Sequence, residues 1–149
     1  MATEISLAVD TDKLVRAFES APAKTRQITE RQVKMAVRDI REEARDNHRF
    51  ISRSGVTEKS IQSEANGNEG SVWLGSNVAV YQHEGTRAHT ITPRNKTALR
   101  FAQGGQFVFT KRVKHPGIKA DPYLYNAAEK MTPTIISRFN AALDGLLGG

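Results

Sequence analysis

The chain has 149 residues, 38% of them hydrophobic and 26% charged, which suits one globular domain with a modest core. It contains no cysteine, so disulfides, thiolate metal sites and a cysteine nucleophile are excluded. The formal charge of +6 is unevenly placed: residues 1–50 carry ten basic and nine acidic groups, residues 51–149 twelve and seven. Eight basic residues and no acidic one lie between Gly85 and Lys119, a distribution that either stays solvated or meets an acidic surface or nucleic acid.

The first residues, Met1-Ala2-Thr3-Glu4-Ile5, show neither the basic start nor the apolar stretch of a signal peptide, and no apolar run approaches the ~20 residues needed to cross a bilayer. Ile5, Leu7 and Val9 alternate with polar or small residues and predict a short strand. Asp10 and Thr11 are suited to capping a brief helix carrying Leu14, Val15 and Phe18, which Pro22 punctuates. From Ala23 to about Phe50 the period is helical. Ile28, Val33, Val37, Ile40 and Ala44 form one stripe beside Ala36, while Arg31, Lys34, Arg38, Arg41, Glu42 and Arg45 are expected to point mostly elsewhere, with Arg38 and Glu42 spaced for an i,i+4 pair.

Ser52–Lys59 reads as a mobile loop. Ser60–Ala65 and Ser71–Leu74 read as two strands around a turn-rich stretch, with Val72 and Leu74 on one face and Trp73 on the other, where core packing is expected ahead of cover by another element or another subunit. Asn77–Tyr81 suggests a turn of helix, and Arg87–Thr92 a weak strand stopped by Pro93. Leu99, Phe101, Phe107 and Phe109 flank Gln103-Gly104-Gly105-Gln106 and predict a hairpin with its apolar residues on one face. Asp121-Pro122 has the form of a helix start, followed by the stripe Leu124, Ala128, Met131, Ile135, Phe139, Ala142 and Leu146. Pro133 either kinks that helix or follows a Thr132 cap of a new one. The order gives an α+β fold: an antiparallel sheet packed against one long N-terminal helix and a C-terminal helix, in a single domain over residues 1–149.

No arrangement for catalysis emerges. His83, His89 and His115 could be drawn as three metal ligands, but His83 and His89 lack the i,i+4 spacing of a helical zinc motif, and Gly85 and Pro93 break any helix there. No serine lies in Gly-x-Ser-x-Gly. Glu84 and Asp121 sit among basic residues, which depress carboxyl pKa values and disfavour a general acid; Glu84 is expected instead to pair with Arg87, Arg100 or Lys111. The chain is read as a non-enzyme with no cofactor and no metal. Basic residues interleaved with Phe101, Phe107 and Phe109 could bind a nucleic-acid strand, but these aromatics alternate as core residues do, and exposing them would leave the sheet without a core face.

Two stretches carry a family likeness. Tyr81-Gln82-His83-Glu84-Gly85-Thr86 looks like a Tyr-x-x-x-Glu-Gly-Thr motif. The basic strand Lys111-Arg112-Val113-Lys114 runs into His115-Pro116-Gly117, then Pro122-Tyr123 opens the last helix, and Pro93 through Leu99-Arg100-Phe101 fits between the two. In this order they resemble the neck or tail-completion proteins of long-tailed phages, which join the filled head to the tail; one departure is His83, where relatives commonly carry a bulky apolar residue. The resemblance implies a virion structural protein made in the host bacterial cytoplasm and acting at the head–tail interface. It implies a ring of copies of itself, expected to be a hexamer, and no membrane association. Connector proteins would lie on the head side, tail-tube or tail-terminator protein on the tail side, with passing contact to phage DNA. The alternatives are a tail terminator capping the tube or a basic nucleic-acid-binding protein. Candidate interface residues are Glu84, Gly85, Arg87, Arg100, Lys111, Arg112, His115, Pro116 and Gly117. In that reading Gly85 permits a backbone turn, His115-Pro116-Gly117 aims the final helix, and Ser52–Lys59 and Ala88–Lys96 become ordered on docking.

Overall fold

The computed structural model describes the backbone of residues 11–147 and the side chains of residues 19–146. The expected strand at Ile5–Val9 and the side chains of Leu14, Val15 and Phe18 lie outside those limits. The expected break at Pro22 does not occur: one helix, α1, runs from Thr11 to Asp46. Pro22 is exposed and lies ahead of the segment that packs on the rest of the fold, so its ring needs no buried space and only its own N–H is missing from the ladder. The second long helix, α4 (Tyr123–Leu147), likewise passes through Pro133 without ending. Thr132 is no cap, because its hydroxyl donates back to the Ala128 carbonyl at 2.7 Å.

The two long helices pack antiparallel. Arg138 near the end of α4 donates to Gln32 at 3.0 Å and to Asp39 at 2.6 Å, while Lys130, two turns earlier, reaches Glu43 at 2.6 Å. Burial alone would raise the Asp39 pKa, but hydrogen bonds and charge from Arg138 and Arg38 outweigh it and hold the carboxyl below its ordinary value.

Strands β1 (Ile61–Asn66) and β2 (Glu69–Leu74) form an antiparallel ribbon against α1, with Ile61 opposite Leu74 and Asn66 opposite Glu69. The α1 charges do not all face solvent as expected. Arg45 donates to the Ile61 carbonyl at 2.7 Å and the Glu58 carbonyl at 3.1 Å, and Arg41 reaches the Ser63 hydroxyl at 3.1 Å. Their long stems lie along the ribbon while their guanidinium groups satisfy its edge. Glu42 consequently pairs with Arg41 and Arg45, and Arg38 with Asp39, in place of the i,i+4 pair.

The core is small. Val37, Ala44, Ile61, Ala79, Tyr123 and Ala127 are its buried apolar residues, backed by Ile40, Phe50, Val72, Leu74 and Leu124. Val72 and Leu74 face it as expected, whereas Trp73, on the other face, is 43% exposed and is not packed as expected. The fold class is α+β, with long helices at both ends and antiparallel strands between them, but the strands form three two-stranded ribbons, not one sheet. No helix among the described residues is long and apolar enough to cross a membrane.

With so few buried side chains, each weighs heavily. Ile61→Ala should lower stability by about 2–5 kcal/mol, read from the urea midpoint; a change under about 0.5 kcal/mol would show that Ile61 is not the centre of the core.

Candidate functional site

The two stretches singled out in the sequence meet in space. Helix α3 (Asn77–Glu84) is capped by the Ser76 hydroxyl, which accepts from the Ala79 N–H at 3.1 Å, and ends at Gly85 with φ 78°. Thr86 then forms an antiparallel bridge with Ile118: the Thr86 N–H donates to the Ile118 carbonyl at 2.9 Å, and the Ile118 N–H donates to the Thr86 carbonyl and hydroxyl at 3.0 Å each. Gly117 precedes Ile118 with φ 90°. A Cβ on Gly117 would land on the Thr86 carbonyl, and one on Gly85 would meet the Ile118 carbonyl oxygen at 2.7 Å and the Ala120 nitrogen at 2.8 Å. Each glycine is required both by its left-handed φ and by the backbone opposite.

Around this joint the chain is held on two further sides. The Asp121 N–H donates to the Gln82 carbonyl at 3.0 Å, fixing the second stretch to α3. The Asp121 side chain does not cap α4 as expected. It accepts from the Arg49 N–H at 2.6 Å and from Arg49 Nε at 3.2 Å, tying the end of α1 to the start of α4. His115 closes its own turn, Nδ1 accepting from the Gly117 N–H at 3.0 Å.

Tyr123 sits at the centre of this arrangement. It is 1% exposed, and its hydroxyl donates to the Ala79 carbonyl at 2.9 Å. Burial, with the nearby Asp121 and Glu58 carboxylates, pushes its pKa up to about 12. His83, 5% exposed, stands edge-on to Tyr123 at 5.3 Å and to Tyr125 at 4.6 Å between ring centroids. It therefore packs as an aromatic ring between the two tyrosines. The segment expected as a mobile loop ends in a short helix, α2 (Val56–Lys59), anchored by Glu58, whose carboxylate lies 3.3 Å from His48 Nε2. The Ser52 hydroxyl is the main cause holding the Glu58 carboxyl below its ordinary pKa; His48 adds to it and burial opposes it.

Beyond the joint the chain leaves the body as an arm. Strands β3 (His89–Ile91) and β6 (Val113–His115) continue the register of the Thr86–Ile118 bridge, His89 opposite His115, so part of the expected 88–96 loop is a paired strand. Further out, β4 (Leu99–Gln103) and β5 (Gln106–Thr110) form the expected hairpin over Gly104-Gly105. Among the described residues neither ribbon packs to any extent on a helix.

The expected single apolar face is not present. The two-residue turn places Phe101 opposite Val108, Ala102 opposite Phe107 and Arg100 opposite Phe109, so Phe107 and Phe109 share one face and Phe101 lies on the other. These rings are not core residues: Phe101, Phe107 and Phe109 are 38%, 63% and 66% exposed. Alternation marked the strand correctly but could not tell a face covered by its own chain from one left bare.

The nine candidate residues thus divide. Gly85, His115 and Gly117, with the Arg87 backbone, build the joint; the Arg87 carbonyl accepts from His89 Nδ1 at 2.8 Å, and Pro116 is exposed beside them. Arg100, Lys111 and Arg112 are exposed on the arm, the Arg100 guanidinium lying 4.4 Å from the centre of the Phe107 ring. Glu84 is exposed at the end of α3 and has no ion-pair partner among the described residues, so the anticipated bond to Arg87, Arg100 or Lys111 is not made within one chain. The three histidines do not converge: His83 stands between two tyrosines, while His89 stacks on His115 at 5.1 Å. No cluster of three metal-ligating side chains occurs among the described residues. Sequence reasoning missed the Arg49–Asp121 tie and the bare outer side of α4, although Tyr125, Glu129 and Ile136 recur at spacings of four and seven and could have revealed a second helix face.

No family model, no curated protein and no solved structure matches this chain.

Two outcomes test the joint. Gly117→Ala should cost about 2–4 kcal/mol, because the left-handed φ and the Thr86 carbonyl both oppose a methyl group, whereas Gly67→Ala, at φ 60° with open space around it, should cost about 1–2 kcal/mol; equal losses would remove the steric role of the bridge. Tyr123 has its folded pKa above the unfolded value of 10, so the stability of its neutral form is full below pH 10 and is lost as pH rises towards about 12. Tyr123→Phe should be less stable than the wild type by about 1 kcal/mol at neutral pH, and that difference should shrink and then reverse across this window in urea titrations. A pH-independent difference would contradict it.

Proposed function

We propose that the chain is a structural subunit of a phage neck that joins the DNA-filled head to the tail by forming a ring at their interface, and that it acts by binding alone. The observation that carries this reading is the meeting of Gln82–Thr86 with Gly117–Asp121 in one backbone joint, from which a cationic arm with bare aromatic rings extends. The two stretches that carry the likeness to neck proteins are 30 residues apart in sequence, yet each supplies the glycine that the other's backbone requires. A small core beneath a large exposed arm suits a subunit that completes its burial against neighbours. In the ring, connector proteins would be met on the head side and tail-tube or terminator protein on the tail side, with copies of the same chain beside it.

A second reading has a specific observation in its favour. Phe107 and Phe109 are exposed beside Arg100, as in a surface that stacks nucleic-acid bases. Under it, affinity for a single-stranded oligonucleotide would fall steeply with added salt.

Infection in which this chain is not made should yield full heads and separate finished tails, seen by electron microscopy, and purified protein should restore joining in the extract. Overlong tails would assign it to tail termination instead, and intact infectious particles would overturn the structural role.

A further inference from the structure

Among the described residues the arm has no packing partner outside itself. A free two-stranded ribbon is at best marginally stable in water, and this one leaves Phe107 and Phe109 bare on one face and Phe101 partly bare on the other. Its charge narrows what can cover it. Eight of the chain's 22 basic residues and none of its 16 acidic ones lie between Gly85 and Lys119, which leaves 14 basic against 16 acidic residues elsewhere. The arm and the rest of the same molecule are therefore of opposite net charge.

The body also offers a matching surface. Of the eight large apolar side chains exposed outside the hairpin among the described residues, four lie on α3 and α4: Val78, Tyr81, Tyr125 and Ile136. Tyr125 and Ile136, 69% and 54% exposed, flank the exposed Glu129 on α4. Glu84, also exposed, follows His83, whose ring touches Tyr125. Neither Glu84 nor Glu129 has an ion-pair partner among the described residues. The helix from Tyr125 to Ile136 is ~17 Å long at 1.5 Å per residue, room for a five-residue strand, whose end Cα atoms lie ~14 Å apart.

Resting on the reading that the chain assembles with copies of itself, we propose that the β4–β5 hairpin of one copy lies on the outer side of α4 of the next, Phe107 and Phe109 seated between Tyr125 and Ile136, with Arg100 facing Glu129 and Glu84. The surfaces differ, so the contact is head-to-tail and propagates from copy to copy. Nucleic acid would satisfy the arm's charge but would leave the acidic, apolar side of α4 unexplained; one contact between copies accounts for both.

Sedimentation velocity on the purified full chain tests this with two variants: Phe107→Ser/Phe109→Ser, which disables the arm, and Tyr125→Ser/Glu129→Lys, which disables the receiving helix. Each should weaken self-association by about tenfold or more, while circular dichroism shows the helices intact. Each keeps the half the other lacks, so mixing them should give a one-to-one pair that neither forms alone. Arg100→Glu should act like the arm variant and be rescued by Glu129→Arg. Wild-type assembly with variants unchanged within about twofold overturns the docking and leaves the ring reading standing. A wild type that stays monomeric at every concentration, and on tails as well, overturns both. Arm variants that assemble normally but lose binding of a fluorescent single-stranded oligonucleotide assign the arm to nucleic acid and overturn the proposal.

Discussion

The architecture rests on a backbone-to-backbone contact that only glycine permits. Thr86 and Ile118 exchange hydrogen bonds in both directions, and Gly85 and Gly117 flank that exchange at positive φ with no room for a side chain. Because each glycine faces main-chain atoms and not flexible side-chain ends, the site cannot yield by changing a rotamer. Everything between residues 86 and 118 is thereby gathered into one excursion that leaves and returns at the same place. The arm is a consequence of this closure, and so is the direction of α4, which begins five residues beyond Ile118.

The body beneath is held by comparatively few apolar contacts and by long polar side chains acting over a distance. Arg45 serves strand β1, Asp121 takes both the backbone and the side chain of Arg49, and Arg138 joins α4 to Gln32 and Asp39. Charged groups in these half-buried places order the elements relative to one another more than they add net stability. Tyr123 combines both functions: its ring fills the centre of the core while its hydroxyl holds α3 through Ala79.

Much of this was legible in the sequence because the signals were local. The stripe from Ile28 to Ala44 gave α1 its buried face, the Asn66–Gly70 turn gave the β1–β2 ribbon, and Gly104-Gly105 gave the outer hairpin. The two glycine-bearing stretches stood out as residue strings, but nothing in either one says that it touches the other. Pro22 misled because proline removes a single donor, which a long helix packed elsewhere along its length tolerates. Trp73 and the three phenylalanines misled for another reason. Periodicity reports which side chains share a face and is silent on whether that face is covered by the same molecule. Asp121 was recognised as a residue suited to a helix start, but its carboxylate is taken by Arg49, 72 residues earlier, a competition that no local pattern could reveal.

The detachment of the arm from the helices bears on how such a chain can diversify. Residues at the hairpin tip contribute little to the packing that keeps α1, α4 and the β1–β2 ribbon together. Substitutions there are consequently tested by selection almost solely through what the tip recognises, and hardly at all through whether the polypeptide folds. A lineage could therefore exchange one recognition sequence for another between the same two glycines, keeping the scaffold while altering the company it keeps.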